Sequence, residues 1–216
     1  MDGQRLAMFP LGTVLLPSMI LPLHVFEDRY RTMLADVLAS ERQEFGVVLI
    51  ERGSEVGGGD TRTDVGCVAR VVEAERTPDG RWLLECIGER RIAVTTWLAD
   101  EPYPVALVRD DPDEPASSDM TASFDMTASF DRVLAKLRRV HALASELGAP
   151  GLPVPLELSE DPILASYQIG VLSPLGALDR QRVLAAPGPA QRLSLLESLL
   201  QEQEELLRAR LAFGGD

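Results

Sequence analysis

Two histidines, two cysteines and one lysine bound the chemistry open to this chain. His24 sits at the end of a short apolar run and His141 on the shoulder of a helical pattern, in different elements, so no ligand set at metal spacing forms and no metal is expected. Lys136 lies between Ala135 and Leu137, beside Arg138 and Arg139, on a polar helix face. A serine–lysine nucleophile pair therefore has no suitable base. The sequence has no G-x-S-x-G elbow and no G-x-x-x-x-G-K-[ST] loop. The glycine run Gly57-Gly58-Gly59 matches neither phosphate-binding pattern and reads as a surface loop. The expectation is a non-enzymatic protein with no catalytic residues and no cofactor.

Cys67 and Cys86 fall on the two arms of a hairpin whose turn is Thr77-Pro78-Asp79-Gly80. Proline presets φ, aspartate bonds locally to backbone, and glycine tolerates positive φ. Pairing outward from that turn sets Cys67 against Arg91 or Ile92, about 16 Å along the strand from Cys86. That is beyond disulfide reach, so two buried free thiols are expected. The net charge of −13 argues against nucleic acid, whose binding leans on clustered Lys and Arg. No apolar run approaches the roughly 20 residues of a membrane helix, and the opening MDGQRLAMF has no leader pattern. A cytoplasmic protein that binds neither nucleic acid nor membrane is expected.

The elements that position these residues follow from apolar periodicity. Residues 8–25 are apolar but cut by Pro10, Gly12, Pro17 and Pro22, which rules out one long helix. They read as a strand from Leu6, a turn, and a second strand over Leu21 to Val25. From Phe26 the period changes: Phe26, Tyr30, Met33, Leu34, Val37 and Leu38 form one stripe of a helix expected over Phe26 to Ala39. Phe45 to Glu51 reads as a central strand. Val65 to Arg76 and Arg81 to Trp97 form the hairpin, and Pro102 to Val108 a last strand. The acidic, Pro/Ser-rich stretch Asp110 to Asp119 reads as a linker. It separates a β-rich subdomain, residues 1–112, from a helical one, residues 119–216.

Within the helical half, DMTASF occurs twice in succession, residues 119–124 and 125–130. Six residues advance a helix by about 600°, so Phe124 and Phe130 face different ways. Only the second copy is in register with Val133, Leu134, Leu137 and Val140. A short in-frame duplication explains this. Further helices are expected from Asp161-Pro162, with Asp161 as N-cap, over Leu175 to Leu184, and over Ala190 to Phe213.

The segment FPLGTVLLPSMILPLHVFEDRYRTML, residues 9–34, resembles the opening signature of the Lon N-terminal domain family. Val65-Gly66-Cys67, Pro78-Asp79-Gly80-Arg81, Gly88-Glu89-Arg90-Arg91-Ile92 and Pro102-Tyr103 continue the likeness, as does the stretch from Asp161 to about Leu200. The resemblance implies an α+β fold: a PUA-like six-stranded β pseudo-barrel with one helix, followed by a C-terminal helical bundle. It further implies a stand-alone substrate-recognition domain, without ATPase or protease modules, that holds unfolded or apolar polypeptide segments in a cleft between the two halves. A role as adaptor or regulator of a protease follows, as monomer or homodimer. A small-molecule-binding regulatory module and an enzyme with an unassigned cleft are the alternatives.

Two residue sets are candidates. Met19, Ile20 and Leu21 lie in a proline-framed apolar turn that is hard to bury completely, and exposed apolar residues mark binding surfaces; core packing under the helical half is the other reading of this turn. Glu27, Arg29 and Tyr30 match the family's E-x-R-Y, and Arg90 or Arg91 its G-x-x-R. Glu27 is expected to pair with one of those arginines and lock the helix to the barrel; a polar spot in a ligand cleft is the alternative reading of the same residues.

Overall fold

The computed structural model describes residues 3–52, 61–114, 120–152 and 156–214. They divide into two compact units, Met1–Pro112 and Asp113–Asp216. The glycine run and the side chain of Phe124 lie outside the described residues.

The first unit is built on the hairpin. β4 (Thr61–Arg76) and β5 (Trp82–Trp97) are each sixteen residues long. Their turn is closed by the Thr77 N–H donating to the Arg81 carbonyl, with Gly80 at φ +83°. The register sets Cys67 against Arg91 and Cys86 against Val71, as the turn chemistry requires. Both cysteines are free and buried, and desolvation pushes each thiol up to about 12.

The sheet contains β1 (Gln4–Leu11), β2 (Ile20–Val25), β3 (Glu44–Arg52) and β6 (Val105–Asp110) besides. Its order is β2-β5-β4-β3-β1-β6, and β5 also pairs with β6. This double use is possible because β5 is long: residues 82–87 lie against β2 and residues 92–97 against β6. β3 lies between β4 and β1, as its continuous apolar run suggests. β1 and β3 run parallel and the other pairs antiparallel, so the sheet is mixed. Leu6, Met8, Val48, Val68, Ile92, Ala106 and Val108 pack inside it.

The one helix among the described residues of this unit, α1 (Asp28–Ala39), buries Tyr30, Met33, Leu34 and Val37. Tyr30 stacks on Phe9 of β1 at 4.1 Å and 8°, which fixes the helix to the sheet. Phe26 does not belong to the helix. Glu27 is the N-cap, in extended geometry, and Phe26 precedes it with half its surface exposed. The stripe's first member thus lies where the backbone has not yet begun to coil.

The second unit is helical among its described residues: α2 (Met120–Glu146), α3 (Pro162–Leu172), α4 (Ala177–Ala185) and α5 (Pro189–Phe213). Asp161 caps α3, its Oδ1 accepting from the Ile163 N–H at 3.0 Å, with Pro162 in the first turn. α2 buries Val133, Leu137 and Val140, and α5 buries Leu193, Leu196, Leu199 and Leu200. Among these apolar side chains lies a fully buried cation, Arg192. Its guanidinium donates to Asp113 Oδ1 at 2.8 Å, to Ser166 Oγ at 2.8 Å and to the Val183 carbonyl at 3.2 Å. The Tyr167 ring lies 3.5 Å away, and the Tyr167 hydroxyl donates to the same Asp113. With a further bond to the Ala186 carbonyl at 3.3 Å, the buried cation meets a counter-ion, a hydroxyl, two carbonyls and an aromatic face.

Candidate functional site

The proline-framed turn is held by backbone. Ser18 N–H donates to the Gly88 carbonyl at 2.8 Å, and Gly88 N–H to the Met19 carbonyl at 2.9 Å. A Cβ on Gly88 would stand 2.1 Å from the Leu16 carbonyl oxygen, so only glycine lets the turn approach β5 this closely. The three candidate residues then part company. Ile20 is 58% exposed, Met19 is half-buried and Leu21 is in the core. Leu21 begins the inward alternation of β2, which continues to Val25, so it is packing and not surface.

Ile20 opens a wider surface. Along β2, Ile20, Pro22 and His24 face outward; on β5, Leu83, Glu85 and Ile87 do, alternating with buried Leu84 and Cys86. The register sets Ile20 against Ile87, Pro22 against Glu85 and His24 against Leu83. On β4, Glu73 and Glu75 stand opposite Glu85 and Leu83. The register shift between Val71 and Glu73 leaves Val72 exposed as well. Phe26, its ring 6.1 Å from that of His24, extends the row. Ile20, Phe26, Val72 and Leu83 are each more than two-fifths exposed. Beside them β2 has β5 as its one strand partner among the described residues, so its other edge is open. Sequence reasoning reached Ile20 alone; the W-L-L-E-C-I alternation in β5 was the signal that would have added Leu83 and Ile87.

The polar set is rearranged. Glu27 does not reach the arginines of β5: its carboxylate pairs with Arg29 at 3.1 Å, and Arg29 lies 4.5 Å over the Tyr30 ring. Arg90 instead donates to both oxygens of Glu44, at 2.8 and 3.0 Å, and to Asp110 at 3.0 Å. Arg91 holds Asp111, through its carboxylate and its carbonyl, at 2.9 Å. The reason is position. Glu27 precedes α1 by one residue, whereas Glu44 begins β3, two strands from β5 across β4. Glu44 carried no motif and was not anticipated.

A model of the ATP-dependent protease La (LON) substrate-binding domain matches residues 5–202. The chain belongs to the Lon substrate-binding domain family. It is 28% identical over 207 residues to Lon protease 2 of Herpetosiphon aurantiacus, covering 94% of this chain and 24% of that protein. It thus spans about a quarter of the length of the curated relatives it matches. Among solved structures, the Lon N-terminal domain protein from Xanthomonas campestris aligns with a TM-score of 0.60 at 23% identity, over 90% of this chain and 98% of that one. The N-terminal domain of the Mycobacterium avium complex Lon protease aligns at 0.63 and 20%, over 92% and 99%. The likeness of fold extends to the six-stranded mixed sheet and the helices.

This Lon-family domain also has a polar cleft of about 300 Å³, lined by Arg5, Asp36, Arg42, Glu44 and Tyr103 among others. Its Asp36 and Glu44 carboxylates are engaged with neighbouring donors. Tyr103 Oη donates to Asp36 at 2.7 Å. Hydrogen bonds from Arg90 hold the Glu44 carboxyl below its usual range. A general acid needs a carboxyl shifted the other way, so Glu44 is built as a fixed anion. Among the described residues no group of three or more His, Cys, Asp or Glu is placed to hold a metal ion, and no helix is long and apolar enough to cross a membrane.

Proposed function

We propose that this Lon-family domain recognises polypeptide: it holds unfolded or extended apolar segments on the outer face of β2, β5 and β4, performs no chemistry on them, and serves a protease as adaptor or regulator. The observation that carries the reading is the row of Ile20, Phe26, Val72 and Leu83 exposed beside an open strand edge. Apolar side chains supply burial energy to a bound segment, and a free edge supplies main-chain hydrogen bonds. The relatives' names support it: the family model is that of a substrate-binding domain, and the Herpetosiphon relative is a protease. The site lies within residues 20–87, so it needs the sheet alone. Closure of the sheet through the β5–β6 pairing supports reading it as a PUA-like pseudo-barrel over residues 1–112, with residues 119–216 as a helical bundle.

The test is fluorescence anisotropy of the purified protein against a peptide array and a chemically unfolded protein, in low and physiological salt. Micromolar, salt-tolerant binding to apolar-rich peptides is expected, with Ile20→Ser and Leu83→Ser each weakening it. No binding to any unfolded chain overturns the proposal and redirects the search to metabolite screening by thermal shift.

A further inference from the structure

The outer face is not uniformly apolar. Glu85 and Glu73 stand directly opposite each other on neighbouring antiparallel strands, an arrangement that costs stability. Neither makes an ion pair among the described residues. Glu75 lies one step further along the same face. Arg70, at the end of the face beside Ile87, is already held by Glu89. The face therefore has an acidic centre with apolar positions on either side: Ile20 and Ile87 toward one end, His24, Phe26 and Leu83 toward the other.

The open edge is patterned to match. Gly88 N–H donates to the Met19 carbonyl, and alternation along an antiparallel ladder then turns the backbones of Leu21, Leu23 and Val25 toward β5. Those of Ile20, Pro22 and His24 turn outward. Pro22, which has no N–H, sits where no ladder bond to β5 is lost. A strand added along β2 would find full main-chain pairing at Ile20 and His24, and a carbonyl acceptor at Pro22. Its side chain opposite Pro22 would point along the row that runs Pro22, Glu85, Glu73. The added strand lies roughly 10 Å from β5, two inter-strand spacings. The proline ring is short, and a long basic side chain crossing it meets the Glu85 carboxylate.

We propose that this face selects segments of the pattern apolar-x-basic-x-apolar, the central Lys or Arg crossing Pro22 to the Glu85–Glu73 pair and the flanking apolar side chains resting on the Ile20–Ile87 and His24–Leu83 rows. The proposal rests on polypeptide binding at this face and adds the sequence preference. The charge pattern also fits the chain's net charge of −13.

The test uses the full chain and three fluorescein-labelled peptides of one extended apolar sequence, with Lys, Gln or Glu at the central position. The Lys peptide is expected to bind about five-fold tighter than the Gln peptide in low salt, and the Glu peptide about five-fold weaker, as two partly exposed ion pairs allow. The spread should shrink at high salt while the Gln peptide holds its affinity. Glu85→Lys, at an exposed position, should invert the order of the Lys and Glu peptides; circular dichroism checks that it remains folded. Glu73→Gln should narrow the spread without inverting it. Equal binding of the three peptides, or an order unchanged by Glu85→Lys, overturns the preference and leaves polypeptide binding standing. Failure of all three to bind overturns both.

Discussion

Each unit of this domain holds an arginine that grips a carboxylate, and the two sites differ in where water stands. Arg192 and Asp113 are 0% and 3% exposed, with an aromatic ring over the guanidinium and carbonyls around it. Arg90 and Glu44 are 29% and 7% exposed, and Arg90 has Asp110 at the rim as a second partner. The chemistry is the same; the dielectric is not. An enclosed pair cannot trade its partner for water, so it fixes one arrangement of α3, α4 and α5. A pair at the rim can, so it contributes less and responds to pH. The sheet unit also keeps an acidic pair, Glu73 and Glu85, exposed, where carboxylates are available to a visitor.

Substitutions should rank accordingly. Arg192→Leu leaves Asp113 buried without its counter-ion and is expected to cost about 3–5 kcal/mol in urea unfolding. Arg192→Leu combined with Asp113→Leu should recover part of that. A cost below about 1 kcal/mol for the single variant would erase the distinction between the two sites. Next comes Gly88→Ala, whose methyl meets the Leu16 backbone. It should cost about 1–3 kcal/mol by overpacking, more than any single charge removed from the rim of the sheet.

Arg90→Gln should cost about 1 kcal/mol at neutral pH. Its pH dependence has a definite sign. Glu44 has a folded pKa depressed below 4.5, first through its hydrogen bond from Arg90. A depressed carboxyl stabilises the fold above its unfolded value and loses that contribution as pH falls through the folded one. The cost of Arg90→Gln should therefore be complete above pH 4.5 and fade on acidification below it, read from thermal midpoints across pH. The smallest stability effect belongs to Ile20→Ser, within about 0.5 kcal/mol, although it should weaken peptide binding the most. A large destabilisation there would mean that Ile20 is packing and not a docking residue.

The sequence was legible where a short-range rule decides. Thr77-Pro78-Asp79-Gly80 fixed the hairpin turn and with it the separation of Cys67 from Cys86; Asp161-Pro162 fixed the start of α3. It was opaque where a charge finds a partner far along the chain. Arg192 follows Gln191 at the start of an amphipathic helix, and nothing nearby tells it from a solvated arginine. Its carboxylate is 79 residues away. Glu27 was expected to meet Arg90 or Arg91 because motif residues invite pairing with each other, yet backbone position gave Arg90 to Glu44. The binding face was half visible. Ile20 stood out between prolines, while the exposure of Val72 depends on a register shift that leaves no mark in composition.

One feature of the sheet bears on how the protein is made. Gln4 pairs with Val108, and Ala7 with Val105. During synthesis β1 can dock on β3 early, but its other edge stays unpaired until β6 has left the ribosome. At roughly 5–20 residues per second, that interval lasts on the order of 3–12 s. For that time the nascent chain presents Leu6 and its neighbours as an unprotected strand, so folding yield in the cell should depend on translation speed through residues 50–110 more than on speed through the helices that follow.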